Sequence, residues 1–204
     1  MKHHVIITVG RQLGSGGGCI ARLLAGIFGC TLYDKEILSV AAKESGFCEQ
    51  FFEQNDERKG FLKTLFHPRV PHVGDNSFYD CNFSQDGLFK FQSDAMQKVA
   101  SEKNCVFVGR CADYVLRDNP DLVSIFVTAN DEDRIKTIME RQPCSREEAE
   151  KLIHSKDSSR ASYYNYYTGK RWGHADSYDI CVNSSVLGIE NTADWLADFI
   201  RKRT

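Results

Sequence analysis

Neither sign of charge dominates this sequence: 26 lysines and arginines stand against 28 aspartates and glutamates, a formal net charge of −2. That balance excludes the bulk cationic field that binds nucleic acid or anionic lipid wholesale, so any anion site has to be local. No nucleic-acid or membrane partner is expected. The eight cysteines form no C-x-x-C pair and no regular spacing. This argues against a zinc ribbon or a disulfide framework and leaves reduced, buried thiols as the ordinary expectation. His67, His72, His154 and His174 lack zinc-ligand spacing, and no Ser/His/Asp arrangement stands out. No apolar run approaches the ~20 residues that span a bilayer, and the N-terminal segment has no signal-peptide apolar core. The expected location is the cytoplasm. Internal repeats and low-complexity tracts are missing too.

What is present is an alternation. The runs VIITV (5–9), TLY (31–33), CVFV (105–108), VSIFV (123–127) and DICV (179–182) are short, apolar and rich in β-branched residues. Such runs suit strands buried on both faces of a parallel sheet. Between them lie longer segments with helical spacing; in the first, Ile20, Leu23, Leu24 and Ile27 fall on one face. The pattern predicts one α/β domain over 1–204, in three layers with right-handed crossovers. Two stretches interrupt it. Residues 47–87 hold two of the four prolines and many aromatics, which predicts an inserted lobe after the second strand. Residues 141–176 are dense in charge and tyrosine, which predicts a helical flap.

The first strand runs into RQLGSGGGC (11–19) and then into a helix. A strand, a glycine-rich turn and a helix bring free N–H groups and the positive end of a helix dipole to one point, which favours a phosphate. Gly14, Ser15, Gly16, Gly17, Gly18 and Cys19 are the candidate phosphate-binding residues. The full pattern G-x-x-x-x-G-K-[ST] is not completed, because Gly18 and Cys19 stand where a lysine and a hydroxyl are sought. The lysine's task is to put a cation on the outer phosphates during transfer. Arg11 is the nearest candidate to take that task. The alternative is a tight strand-to-helix turn with no ligand.

Other candidates follow the strand ends. Arg110 follows the third strand, where ligands bind in open α/β sheets, and could clamp a phosphate; its alternative is a surface ion pair. Asp34 ends the second strand and is the candidate for holding Mg²⁺ or positioning an acceptor phosphate, with a helix N-cap as the other reading. Asp113 is a weaker candidate for a metal or sugar contact. Asp157 and Arg160 are three apart on a predicted helix and share a face; an exposed ion pair is their bland reading. The tyrosines of ASYYNYYTGKRW (161–172) read as a packing stripe rather than a base-stacking surface.

Three blocks, ITVGRQLGSGGGCIARLLAGIFGCTLYDKEIL, VFVGRCADYVL and ASYYNYYTGKRWGHADSYDICVNSSVLGIE, occur in an order that resembles the cytidylate kinase-like family. The resemblance implies a P-loop nucleoside monophosphate kinase architecture, with a five-stranded parallel core. It places a monophosphate-binding lobe at 47–87 and a mobile lid at 141–171. ATP with Mg²⁺ would donate its γ-phosphoryl group to a nucleoside monophosphate such as CMP. In that scheme Arg110, Asp34, Asp113, Asp157 and Arg160 meet the acceptor. Arg134 and Asn183 flank the adenine, and Arg141, Arg146, Lys170 and Arg171 close from the lid, each with solvated surface charge as its alternative. The chain departs from true cytidylate kinases at Val108, where those enzymes carry an aspartate before the glycine-arginine pair. Two other functions stay open on the sequence: a non-catalytic nucleotide sensor, and a kinase for another small molecule. A homo-oligomer is also left open.

Overall fold

The computed structural model describes residues 4–34 and 85–203. The chain divides into two compact units, residues 1–34 with 96–204 and residues 35–95. Of the lobe expected at 47–87, residues 47–84 lie outside the described residues, as do Cys48, His67, His72 and Cys81.

Five strands form one parallel sheet: β1 (Ile6–Arg11), β2 (Thr31–Tyr33), β3 (Cys105–Val108), β4 (Leu122–Thr128) and β5 (Ile180–Asn183), in the order β2-β3-β1-β4-β5. β1 lies at the centre, with Val9 opposite Val108 on one side and Ile125 on the other. The described helices are α1 (Gly17–Phe28), α2 (Gln85–Glu102), α3 (Ala112–Val115), α4 (Asp131–Arg141), α5 (Arg146–Thr168), α6 (Ser184–Leu187) and α7 (Ile189–Arg203).

All five predicted strands form; β1, β3 and β4 are buried along nearly their whole length, as strands covered on both faces are, while β2 and β5 at the sheet edges are partly exposed. On one face Ile7, Val9, Val106, Val108, Ile125 and Val127 meet α1 and α7 in a single core. On the other, Ile6, Phe107 and Phe126 are buried, and α3 packs on β1 and β4.

The buried face of α1 differs from the expectation. Ile20 and Leu24 are fully buried, yet Leu23 and Ile27 are 39% and 40% exposed, and Ala21 and Ala25 take their places in the core. The two alanines let α7 approach closely through Ala193 and Ala197, which turns the helix toward its small residues. Two cysteines also depart from expectation: Cys19 and Cys181 are exposed, whereas Cys105 and Cys111 are buried. Both exposed thiols lie on elements turned partly to solvent. No described helix is long and apolar enough to cross a membrane.

α5 begins with a capping box. Ser145 Oγ accepts the N–H of Glu148 at 3.3 Å, and Glu148 returns its carboxylate to the N–H of Ser145 at 2.7 Å. Its C-cap, Gly169, is left-handed at φ 67°. Ile135 and Ile138 of α4 pack with Ala149 and Ile153 of α5 in a small second core, and the side chain of Leu13 joins them.

Candidate active site

The loop between β1 and α1 is built on two left-handed glycines, Gly14 (φ 81°) and Gly16 (φ 73°). Neither position could carry a side chain. A Cβ on Gly14 would lie 2.7 Å from the carbonyl oxygen of Arg134, and one on Gly16 would lie 2.8 Å from the Ile189 side chain. Ser15 turns its hydroxyl inward onto the Gln12 carbonyl at 2.9 Å. The N–H groups of Cys19 and Ile20 both reach the Gly16 carbonyl and start α1. Among the described residues no acceptor meets the N–H of Gly14 or of Gly16. The first turn of α1 has no side-chain cap and no acidic residue. Free amides and an uncapped dipole leave this end of the helix suited to an anion.

Gly16 is the N-cap and Gly17 the first helical residue, which puts the place of the motif lysine at 17, one before Gly18, where the sequence pattern sought it. In a complete motif the residue after the last loop glycine is the lysine. Here a Cβ on Gly17 would stand 2.5 Å from the Cβ of Arg11 and 3.2 Å from its Cγ, while Gly18 faces open space. The stem of Arg11 therefore fills the slot into which a lysine at 17 would project.

The Arg11 guanidinium continues across Gly109, where a Cβ would collide with its Nη1. Its Nη2 lies 3.4 Å from Asp34 Oδ1. Burial, and then the positive charges of Arg160 and Arg110, pull Arg11 down to about 10 from its usual 12.5, against the opposing pull of Asp34. Arg160 is lowered for the same first reason, burial, with Asp157 and Asp34 opposing. Three guanidinium groups thus gather where β1, β2 and β3 end, against two carboxylates, Asp34 beside Arg11 and Asp157 beside Arg160. This is an unfavourable arrangement for a protein alone and a favourable one around an anion.

β3 leaves the sheet through three consecutive left-handed residues, Gly109 (φ 73°), Arg110 (φ 59°) and Cys111 (φ 57°). For the two non-glycine residues that conformation costs roughly 1–2 kcal/mol each, and such strain concentrates at functional sites. Arg110 hydrogen-bonds the Tyr163 hydroxyl, whose own titration burial pushes up to about 12.

Asp157 and Arg160, from α5, both reach the loop backbone. Asp157 Oδ1 accepts the Leu13 N–H at 2.8 Å, and Arg160 Nη1 donates to the Arg11 carbonyl at 3.2 Å. Arg134 is buried. Its Nε donates to the Leu13 carbonyl at 2.8 Å, its Nη1 to Asp131 at 3.1 Å, and its Nη2 to Asp157. Asn183 caps α6 through the Ser185 N–H at 3.0 Å and donates to Asn130 Oδ1 at 2.9 Å.

The remaining candidates lie apart from these contacts. Asp113 accepts the Tyr164 hydroxyl at 2.7 Å, and burial raises its carboxyl. With Ser124, Lys170, Tyr178 and Asp179 it lines a polar cleft of about 360 Å³. Arg146 bridges Glu132 at 2.8 Å and Glu150 at 2.9 Å, joining α4 to α5. Arg171 meets His174, and Arg141 is exposed at the end of α4. Among the tyrosines, Tyr164 is buried, stacking on Tyr178 at 5.8 Å, while Tyr166 is 73% exposed.

Sequence reasoning missed Ser184, whose buried hydroxyl, with one proton to donate, lies 2.7 Å from the Ser15 carbonyl and 3.1 Å from the Thr128 carbonyl. It also missed Gln12, whose Oε1 accepts the Thr128 hydroxyl. Gln12 lies in the loop itself and Ser184 at the end of β5, and only the fold brings their partners, Thr128 and Ser15, to them.

The model of the cytidylate kinase-like family matches residues 6–186. The chain belongs to that family. No curated protein matches it. A crystal structure of an uncharacterized protein from Eubacterium ventriosum is similar at 26% identity and a TM-score of 0.72, covering 97% of this chain and 99% of that one. Two shikimate kinases share the fold at lower identity. The one from Bacteroides thetaiotaomicron has 14% identity and a TM-score of 0.51 over 97% of this chain and 98% of that one. The one from Acinetobacter baumannii, in complex with shikimate, has 12% identity and 0.50 over 98% and 95%. The five-stranded parallel sheet of this cytidylate kinase-like protein is thus the P-loop kinase fold, and kinase chemistry on a small molecule or nucleotide is what the family description and the fold together support.

Proposed function

We propose that the protein transfers the γ-phosphoryl group of ATP to a nucleoside monophosphate of the CMP type. The observation that carries this reading is the position of Arg11. Its stem takes the slot of the missing lysine, and its charge lies among Arg110 and Arg160 at the end of the strand that leads into the loop. Phosphoryl transfer asks little covalent chemistry of the protein, since positioning and charge stabilisation supply the rate. The amides of Gly14 and Gly16 hold donor phosphates, Arg11 neutralises charge as it spreads over the transferred group, and Arg110 holds the acceptor phosphate.

Mg²⁺ fits this site through Asp34. Among the described residues no cluster of three metal-ligating side chains occurs. Mg²⁺ ordinarily takes one or two carboxylates and completes its shell with substrate phosphates and water, and Asp34 is 45% exposed at the loop. When bound, the ion supplies charge neutralisation on the donor phosphates.

The test is a radiolabelled ATP assay against a panel of nucleoside monophosphates and hydroxylated small acids, run beside calorimetric binding. Product with a monophosphate, abolished in Arg11→Ala, is expected. ATP binding without product from any acceptor would instead favour a sensor, and product from a hydroxy acid alone a kinase of other specificity.

A further inference from the structure

A planar trans peptide points its C=O and its N–H in opposite directions. Holding a carbonyl from one side therefore aims the N–H of the same peptide to the other. Each of the two open amides belongs to a peptide whose carbonyl is held in this way. The Leu13 carbonyl, partner of the Gly14 N–H, accepts Arg134 Nε at 2.8 Å. The Ser15 carbonyl, partner of the Gly16 N–H, accepts Ser184 Oγ at 2.7 Å. Both donors are buried, at 4% and 5% exposure, so water offers neither carbonyl an easy substitute. Both glycines sit in a conformation that tolerates peptide flips at little cost, so the orientation needs an external hold.

We infer that Arg134 and Ser184 are positioning residues that turn the Gly14 and Gly16 N–H groups into the anion cradle by anchoring the carbonyls of the same two peptides. This rests on the anion-binding reading of the loop given above. The assignment gives the buried arginine of α4 a task other than flanking an adenine. Asp157 supports it: it pairs with Arg134 and also accepts the Leu13 N–H, so the peptide on the other side of Leu13 is fixed as well. The side chain of Leu13, seated between α4 and α5, completes the hold. The Ser184 hydroxyl has a single proton, and the shorter of its two carbonyl contacts, 2.7 Å to Ser15 against 3.1 Å to Thr128, directs that proton to the loop.

The test uses ¹⁵N-labelled full-length protein titrated with sodium tripolyphosphate, with the Gly14 and Gly16 amide resonances followed separately. In the wild type both amides shift. In Ser184→Ala the Gly16 amide stops responding while Gly14 still responds, and calorimetric affinity for a non-hydrolysable ATP analogue falls about tenfold, the scale of one lost hydrogen-bond orientation. Ser184→Thr, which keeps the hydroxyl, restores both. Arg134→Met paired with Asp157→Leu, which removes both members of the buried pair together, shows the reverse pattern, with Gly14 silent and Gly16 responsive. A merely structural role would not separate the two amides. Loss of both responses in both variants, or retention of both in both, overturns the assignment. A wild-type protein whose amides ignore tripolyphosphate overturns the anion-binding reading itself, and the assignment with it. Should the double variant fail to fold, Ser184→Ala against Ser184→Thr still decides.

Discussion

Arg11 and Gly17 are packed so closely that a Cβ on the glycine would fall 2.5 Å from the Cβ of the arginine. One position can be large only if the other is bare. Gly17→Lys, which writes the missing motif lysine into the chain, is therefore expected to destabilise the protein and abolish nucleotide binding. Gly17→Lys combined with Arg11→Gly clears the slot and is expected to regain binding. Thermal shift with ATP reads both, and a Gly17→Lys single variant that binds as well as the wild type would show that Arg11 does not occupy the lysine's place. By contrast Gly18 faces open space within α1. Gly18→Ala should add about 0.5–1 kcal/mol from helix propensity alone.

The charge on Arg11 is a cost to the ligand-free protein. Its titration near 10 rather than 12.5 means that between those values the unfolded state binds more protons than the folded one, so stability rises with pH across that window. Below about 10 the full penalty is present, on the order of 3 kcal/mol. Arg11→Met keeps the stem in its slot and removes the charge. It is expected to gain about 1–3 kcal/mol in urea unfolding at pH 7, the lost pair with Asp34 reducing the gain, and to lose polyphosphate binding. In the wild type, anion affinity should decline as pH climbs through about 10. A stability loss in Arg11→Met with binding intact contradicts the argument.

Arg110 holds a left-handed conformation, at φ 59°. Glycine adopts it freely, so Arg110→Gly should be about 1 kcal/mol more stable than Arg110→Ala. Both should raise the acceptor KM while leaving the ATP KM near its wild-type value. Steady-state kinetics with each substrate varied in turn checks this; unchanged acceptor kinetics would remove Arg110 from the acceptor site.

The Asp113 carboxyl is raised by burial, with the Tyr164 hydroxyl as partner. A raised carboxyl binds its proton more tightly when folded, so it costs stability as pH rises from the unfolded value of 3.8 through the folded one. Asp113→Asn keeps an acceptor for Tyr164 and removes the charge. It should therefore be more stable than wild type at pH 7, with the advantage shrinking on acidification toward pH 4. An advantage that is constant with pH would rule out the carboxylate as its source.

Much of the fold was legible because burial on two faces leaves a direct trace: β3 falls on the predicted residues, and β1 and β4 start within one residue and end within two of theirs. The glycine loop was legible for a similar reason, since a left-handed backbone narrows the choice of residue. The place of the missing lysine was put at Gly18 rather than Gly17 because three successive glycines give no local signal for which is the cap. The face of α1 was misjudged because its alanines, weak in any hydrophobic pattern, are what the close approach of α7 selects.

Local conformation and burial need only a residue and its near neighbours in the chain, and these the amino-acid sequence determined: the strands, the turn that needs glycine, and arginines at strand ends. What holds the loop is a different matter. Leu13 and Asp157 stand 144 positions apart, and Ser15 and Ser184 stand 169 apart. Such pairs leave no periodicity or spacing behind, because a hydrogen bond depends on where two groups lie in space and not on the length of chain between them. Only the parallel sheet, by delivering β1, β4 and β5 to the same edge, decided that the Arg11 stem packs against Gly17 and that Arg134 and Ser184 reach the loop carbonyls.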